Sequence, residues 1–579
     1  MTSKYQSDLA SRSRWVPALL ILLLGCGLFF RFHNLDKKFY WEDEAWTSLV
    51  LAGFMAADVR SEVLGADQLT FHALQRFHHV GGNPGIVRVL VAKAADPQHP
   101  PLYFVSLWLW AHVFGDSVSS LRSFSAVLSV FAFPCLYWLC LELFGSPVVG
   151  SIAVALLAVS PLHTLFAQEA RPYALLTVVI LLSSAALLRA LRLGSRPAWI
   201  LYGATVMAGL YVHTLFIFPL LSHTLYIALR RSDPLRPFWL DDDLRSFFTT
   251  ALIGVATFLP WMIPIVVALP VVSETMAWMR VPMSMPALAQ SMAFNLSSVF
   301  VDTYALLSLS RAPSVATRAM ATGVTALILA TVAYSLYVVC RETDKRVWMF
   351  IVTLAGFMPV ALLVADIVAG GGRSAVARFA WPLYVGAGLS VSFLFATRLY
   401  SASTAQRWVF RVWMLAIVMA GIVTCLISSQ ADYWWNKGFR ELPQIARIVN
   451  HAQSAVLISD VGGANLGKIL SLSYAVKPDV GLQMLPDATV AKHVQQIPTW
   501  IRRALDLPAP TPVPDTGATG LVTALHRYRD VFVVDYSRSV VTTVQKQGIG
   551  VVVSCPTERL WRVTREPAGM DPAASCEAE

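Results

Sequence analysis

Long apolar runs constrain the fold of this chain more than any other feature. With 579 residues, 56% hydrophobic, 14% charged and a mean hydropathy of +0.58, the chain carries more apolar side chains than a soluble core can bury. The sequence therefore predicts a mainly α-helical polytopic membrane protein with about eleven transmembrane helices and at most about thirteen. The predicted spans are 15–32, 122–144, 147–166, 172–192, 198–212, 214–229, 247–268, 314–340, 347–368, 379–397 and 408–429.

The distribution of positive charge predicts how these spans are oriented. The net charge is +10, and most Lys and Arg residues lie in short gaps between apolar runs, for example Arg189, Arg192 and Arg196. An excess of Lys and Arg marks cytoplasmic loops, so the charge is mainly a topology signal and not a nucleic-acid surface. Residues 102–114 are too short to span, and we expect a helix in the membrane interface there. The loops predicted outside are 33–121, 167–171, 269–313 and 369–378, together with the tail after 430.

The tail differs in character from the rest of the chain. Short apolar runs at 454–460, 480–485, 530–537 and 549–555 alternate with helix-like stretches such as 488–505 and 539–547. Strand and helix in alternation are typical of a parallel α/β sheet. The sequence therefore predicts two domains: a transmembrane domain, 1–430, with a functional first external loop, 33–121, and a soluble extracytoplasmic α/β domain, 431–579.

The predicted topology gathers distant charged residues at one membrane face. Two of them, Asp43 and Glu44, lie in FYWEDEAWTSL, where aromatic rings flank the acids. Adjacent carboxylates repel each other, so burial favours a general base, whereas a nearby cation keeps both ionised. A solvated acidic cap is the structural alternative. The residues expected at this face are Asp43, Glu44, His99, Arg122, Glu169, Arg171, His213, Arg280 and Arg378.

One sequence pattern resembles a phosphate-binding loop but is better explained as a structural turn. Gly462 to Lys468 fits the GxxxxGK pattern of a phosphate-binding loop, but Ile469 replaces the Ser or Thr that would hold magnesium. A strand-to-helix turn is the favoured interpretation.

Several ordered motifs resemble a known family. WEDEAWTSL, HPPLYFVSLWLWAHVFGDSVSSLRSFSAVLSV, AQEARPYALL and GLYVHTLF are similar to sequences of bacterial relatives of protein O-mannosyltransferases and aminoarabinose transferases, which are C-type membrane glycosyltransferases. The resemblance covers most of 15–230 and weakens after 240. It implies a polyprenyl-phosphate sugar donor, an extracytoplasmic active site and inversion at the anomeric carbon.

The resemblance also implies roles for individual residues. Asp43 matches the family's acid in the first external loop and would be the general base, and Glu44 would steer the acceptor or a metal. His99 precedes Pro100, where relatives carry His or Lys near the donor phosphate. Arg122 matches a family arginine, and Arg171 and Arg378 would bind the donor phosphate.

Two further candidates keep alternatives open. His213 either packs where two short helices meet or contacts the lipid phosphate. Tyr173, a substrate-binding candidate, is also explained as an interfacial anchor. For Arg122 and Arg171, snorkelling to lipid headgroups is the structural alternative.

No cofactor is required by the resemblance. Some relatives use a divalent cation and some do not, and Asp43, Glu44 and His99 form a weak ligand set for Mg²⁺ or Mn²⁺. The implied partners are a polyprenyl-phosphate sugar donor, a protein, lipid or glycan acceptor, and the bilayer of a bacterial inner membrane. The alternative functions are a transporter or flippase of a lipid-linked saccharide, and a non-catalytic envelope assembly protein.

Overall fold

The structure, a computed structural model, divides into two compact units. The residues it describes are 15–65, 69–80, 85–230, 241–310, 312–486, 527–534, 551–554 and 559–564. One unit comprises Met1–Leu35, Arg122–Ile263 and Met276–Gln430, and the other comprises Asp36–Leu121, Pro264–Thr275 and Ala431–Glu579. The second unit thus combines 36–121 with the residues after Gln430.

The regular secondary structure of the first unit is helical in all of its described residues. Its longest helices come from the most apolar stretches of the sequence, as a bilayer-facing bundle requires. Tyr173–Leu193 packs against two neighbours, Arg196–Val212 and Ala132–Phe144. The helices lying wholly or mainly in this unit are Trp15–Phe32, Val118–Val130, Ala132–Phe144, Pro147–Ala158, Pro161–Ala167, Tyr173–Leu193, Arg196–Val212, Ile217–Arg230, Asp242–Ala256, Leu259–Val267, Met285–Ser297, Tyr304–Ser308, Val315–Glu342, Lys345–Ala369, Trp381–Arg398 and Thr404–Ser429.

Local sequence signals set many of the helix ends. The Ser314 hydroxyl accepts a hydrogen bond from the Thr317 amide at 3.1 Å, and the Asp241 carboxylate accepts one from Leu244 at 3.1 Å. Such N-caps satisfy amide groups that have no partner within the helix. Gly145 and Gly194 end their helices in the left-handed conformation, each with φ of +62°, which glycine adopts without steric cost. Turns between spans are therefore encoded locally.

Among the described residues, fewer helices than predicted pass a test of length and composition for crossing a membrane. By length and composition, five helices of the described part of the chain can cross a membrane, and up to seven if each bent pair is one span. All eleven predicted runs contain helix, but several of these helices have only 14 to 18 residues, such as Ile217–Arg230 and Trp381–Arg398. About 20 apolar residues are needed to span, so the sequence prediction counted helices too short or too polar to qualify. The five helices are Val118–Phe144, Tyr173–Leu193, Val315–Glu342, Lys345–Ala369 and Thr404–Ser429.

The second unit combines short helices with a six-stranded sheet. Its strands are β1 (Leu69–Thr70), β2 (Ala455–Asp460), β3 (Gly481–Leu485), β4 (Asp530–Val534), β5 (Val551–Ser554) and β6 (Leu560–Thr564), in the spatial order β1-β3-β2-β4-β6-β5. Its helices are Glu42–Leu51, Ala56–Gly65, Phe71–Gln75, Ile86–Ala95, Leu102–Phe114, Leu269–Thr275, Leu442–His451 and Gly463–Leu472.

The predicted parallel sheet is only partly correct. β2 pairs in parallel with both β3 and β4, but β6 runs antiparallel to β4 and β5, and β1 runs antiparallel to β3. The sheet is therefore mixed, and β1 comes from the first external loop instead of the tail. Only five residues separate β5 from β6, too few for the crossover that parallel neighbours need. The helices predicted at 488–505 and 539–547 lie outside the described residues.

Candidate functional site

In the second unit, three consecutive acids form the first turn of one helix. Glu42, Asp43 and Glu44 begin the helix Glu42–Leu51, here called the acidic helix, after the N-cap residue Trp41. Carboxylates are favourable at this end because the helix dipole is positive there. Asp43 is partly exposed, and its carbonyl accepts a hydrogen bond from the Thr47 hydroxyl. The sequence pattern thus becomes a helical turn with three closely spaced negative charges.

The two acids that flank Asp43 are each paired with a lysine of the same unit. Glu44 is fully buried, and its Oε2 lies 2.9 Å from Nζ of Lys437, which is 1% exposed. Glu42 lies 3.8 Å from Nζ of Lys468, which is also buried and lies over the ring of Phe439. Burial lowers the pKa of Lys468. Lys468 ends the GxxxxGK pattern at the turn after β2, where the structure confirms a strand-to-helix turn.

His99 lies at the entry to a helix that packs on the acidic helix. It is partly exposed and precedes Leu102–Phe114, which contacts the acidic helix. Of the three predicted metal ligands, Glu44 is held by the Lys437 ammonium. Within the described part of the chain, no group of three or more His, Cys, Asp or Glu side chains is placed to hold a metal ion.

In the first unit, the two predicted arginines are buried and their helices are tied together. Arg122 is 0% exposed, and its Nη1 donates to the carbonyl of Leu35 at 2.6 Å. One turn further along the same helix, the Ser125 hydroxyl donates to the carbonyl of Arg171 at 3.4 Å. Residues three apart share a helix face, so Arg122 and Arg171 lie near each other. Arg171 is 5% exposed, and Glu169 beside it is fully buried. Headgroup snorkelling does not fit such buried guanidinium groups.

Tyr173 and His213 meet in a buried aromatic group with Trp381. The Tyr173 ring is 5.7 Å from the His213 ring and 6.3 Å from the Trp381 ring, measured between centroids. His213 separates Arg196–Val212 from the following 3₁₀ turn, and its Nδ1 accepts a hydrogen bond from the Leu215 amide. Tyr173 is 1% exposed, which does not fit an interfacial anchor. The structure thus brings these two predicted residues together.

Arg378 lies in a short 3₁₀ turn just before Trp381. Its guanidinium carbon is 5.4 Å from the Trp278 ring centroid, within cation–π range. Arg280, also expected at the site, is exposed. Arg378 therefore lies on a turn that leads into the aromatic group.

Sequence reasoning missed several residues that organise these regions. Lys437 carries no local signal, and the GxxxxGK pattern that ends at Lys468 does not indicate an ion pair, because each lysine pairs with an acid more than 390 residues away. Trp381 is one of the largest fully buried side chains, and its indole nitrogen has no hydrogen-bond partner. Arg31 is a charged residue at the end of an apolar run, which is a detectable sign of a special role.

Chemically, each unit carries its own kind of functional group. The second unit carries a partly exposed carboxylate, Asp43, which can accept a proton. The first unit carries buried guanidinium groups, Arg122 and Arg171, which can bind an anion through paired hydrogen bonds.

Comparisons with known proteins give one family match and several structures of similar fold. Residues 98–263 match the family described as dolichyl-phosphate-mannose-protein mannosyltransferase. No curated protein matches the sequence significantly. The fold is similar to ArnT from Cupriavidus metallidurans in the apo state, with 13% identity, a TM-score of 0.51 and coverage of 94% of this chain and 98% of that one. It is also similar to ArnT from the same organism bound to undecaprenyl phosphate, with 13% identity, a TM-score of 0.50 and coverage of 96% and 98%.

The matched range is informative because it carries much of the predicted site. His99, Arg122, Arg171, Tyr173 and His213 all fall within it. The family match and the similarity of fold agree with the resemblance read from the sequence: residues 98–263 match the family model, and the chain as a whole has an ArnT-like fold.

Proposed function

We propose that this protein transfers a sugar from a polyprenyl-phosphate donor to an acceptor outside the cytoplasm. The family match over 98–263 carries the proposal, because that family's description names a lipid-phosphate sugar. The similarity to a structure of ArnT bound to undecaprenyl phosphate supports the same donor class. A bacterial inner membrane, with the acidic helix on the extracytoplasmic side, fits the arginine-rich loops of the sequence.

Asp43 is the proposed general base. Its carboxylate takes the proton of the acceptor hydroxyl or amine while the acceptor atom attacks the anomeric carbon. The bond from that carbon to the phosphate oxygen breaks, and polyprenyl phosphate leaves as an anion. One displacement of this kind inverts the anomeric configuration. Among the three acids of the turn, Asp43 is the one that matches the family's acid in the first external loop, and its side chain is partly exposed.

The proposed donor-phosphate ligands are Arg122 and Arg171, with His99, His213, Tyr173 and Arg378 as further donor contacts. A guanidinium group offers a fixed fork of donors to phosphate and stabilises the negative charge that develops on the leaving group. Burial strengthens this effect, because charges interact more strongly away from water.

The test is transfer of radiolabelled sugar by purified protein in lipid nanodiscs, from polyprenyl-phosphate sugars to acceptors in native membranes. Asp43→Asn should abolish transfer, since the amide cannot accept the proton. Asp36→Asn is the matched control, because Asp36 is an exposed aspartate seven residues earlier. Equal transfer by wild type and Asp43→Asn would remove Asp43 from the mechanism. Donor movement across the bilayer without transfer would favour a flippase.

A further inference from the structure

The acidic helix is packed unusually closely against Gly463–Leu472 within the second unit. A Cβ atom added to Gly467 would lie 2.7 Å from both Glu42 Cγ and Trp46 Nε1, so only glycine fits at this contact. Ser471, further along the same helix, donates a hydrogen bond to the carbonyl of Tyr40. The segment entering the acidic helix is therefore fixed by main-chain and side-chain contacts with residues after 460.

A second segment of the tail holds the same region. The Phe39 amide donates to the carbonyl of Asp432 at 2.8 Å, and the Asp432 carboxylate lies 2.9 Å from Nζ of Lys37. Five residues later, Lys437 bonds to Glu44, and its Nζ also lies 5.8 Å from the centre of the Trp41 ring. The residues on both sides of Asp43 thus contact the tail.

The two ion pairs differ in burial but act on neighbouring positions. Lys437 and Glu44 are both excluded from water, so the pair requires a defined geometry to offset the cost of desolvation. Lys468 and Glu42 are farther apart, and Glu42 keeps 19% of its side-chain surface exposed. Together they fix the turn that carries Asp43 and neutralise the charge of its two neighbours.

We propose that Lys437 and Lys468 are positioning residues that hold Asp43 in its reactive orientation, an inference that rests on the proposed function. In this scheme Glu44 contacts Lys437 instead of substrate, and the tail contributes to catalysis by orienting the acidic helix. A base must lie within hydrogen-bond reach of the proton it takes, and small displacements of such a group are costly in rate.

The decisive experiment measures kcat and the donor KM of wild type, Lys437→Met and Lys468→Met in nanodiscs. We expect kcat to fall by roughly tenfold or more in Lys437→Met, and less in Lys468→Met, with the donor KM changed by less than about twofold. Lys477→Met is the matched control, because Lys477 is an exposed lysine of the same unit, and it should keep wild-type kcat.

A double variant separates positioning from general damage. If Lys437 acts through Glu44, then Glu44→Gln combined with Lys437→Met should lose no more activity than Lys437→Met alone. If the activity losses of the two single variants multiply in the double variant, the two residues act independently and the proposal is overturned. The proposal would also be overturned if Lys437→Met kept wild-type kcat, or if its donor KM rose by the same factor by which kcat fell.

Hydrogen exchange supplies a readout that does not depend on activity. Amides of the acidic helix should exchange faster in Lys437→Met than in wild type or Lys477→Met, at a temperature where all three remain folded. Unchanged exchange would overturn the positioning role even if no donor supports transfer. If the wild-type protein transfers no sugar, but its acidic helix still exchanges more slowly than that of Lys437→Met, the proposed function is excluded and the contact between Lys437 and Glu44 is supported.

Discussion

Arg31 donates a hydrogen bond to the carbonyl of Ala158 at 2.8 Å, at the point where a membrane helix bends by 61°. The same guanidinium donates to the carbonyls of Leu157 at 3.1 Å and Gly27 at 2.9 Å. Leu157 and Ala158 end the first helix of the bent pair, where carbonyl groups have no partner within the helix. A cation there also complements the negative end of the helix dipole. Arg31 thus stabilises the bend that precedes Glu169 and Arg171.

Replacing Arg31 should destabilise the first unit. Arg31→Met removes the guanidinium donor to the carbonyl oxygen of Ala158, and a buried acceptor left without its partner costs about 1–3 kcal/mol. We expect a midpoint of thermal unfolding several degrees lower than that of wild type, measured in nanodiscs. Arg245→Met is the control, since its guanidinium is largely exposed. Equal midpoints for the two variants would show that the bend does not depend on Arg31.

Replacing Arg171 should weaken donor binding. Arg171→Gln removes a charged fork that the proposal assigns to the donor phosphate, and charge-assisted hydrogen bonds contribute about 1.5–3 kcal/mol each. We expect the donor KM to rise about tenfold or more, and inhibition by free polyprenyl phosphate to weaken in parallel. Arg245→Gln should leave both unchanged. An unaltered KM in a folded Arg171→Gln protein would exclude this residue from the donor site.

Adding one methyl group at Gly467 should disturb the acidic helix. In Gly467→Ala, the new Cβ would lie 2.7 Å from the Glu42 and Trp46 side chains, so these side chains or the helix that carries them must shift. Overpacking of this kind costs about 1–3 kcal/mol, partly offset by the higher helix propensity of alanine. We expect lower thermal stability and lower kcat. Gly85→Ala is the matched control in the same unit, because its Cβ would meet no atom within 4 Å.

The buried imidazole of His78 predicts a pH dependence of stability. Burial lowers the pKa of His78 from 6.5 to about 4, with a further contribution from His79 that Asp116 opposes. His78 also bonds to the Ser473 hydroxyl and stacks on Tyr474. The unfolded chain therefore binds a proton below pH 6.5, whereas the folded chain binds it only below about pH 4. Stability should be full above pH 6.5 and fall as the pH drops to 4, by at most about 3 kcal/mol.

The measurement is the unfolding midpoint of His78→Gln and wild type between pH 4 and 7. The variant should lose less stability on acidification than wild type, because it lacks the buried group that titrates. His79→Gln, which alters a largely exposed histidine, should keep most of the wild-type slope. The same slope in wild type and His78→Gln would assign the pH dependence to other groups.

Local signals in the sequence predicted the elements better than their arrangement. The runs at 454–460 and 480–485 contain β2 and β3, since alternating or continuous apolar residues between turns are typical of strands. Strand direction is not encoded in such a run, so the antiparallel β5 and β6 were missed as a pair. β1 has only two residues, too few for any periodicity. Several predicted spans are short or bent helices, because composition alone does not show where helices break.

The residues of the candidate site likewise divide into those with a local signal in the sequence and those that depend on tertiary packing. Acids among aromatic rings and arginines at helix ends have local signals, so Asp43, Arg122 and Arg171 were identified as candidates. Lys437 lies in the stretch YWWNKGF, where nothing predicts a buried lysine paired with a distant acid. Such pairs depend on tertiary packing, which a single sequence does not reveal. For this reason Glu44 was predicted to contact substrate or metal.

The pair of Glu44 and Lys437 also sets an order for biosynthesis. The two residues are 393 positions apart, so a ribosome completes the acidic helix long before it makes the lysine. At translation rates of about 5–20 residues per second, Glu44 waits tens of seconds for its partner. The nascent second unit thus passes through a stage in which this carboxylate stays hydrated or protonated. Its final packing is therefore a late step of synthesis.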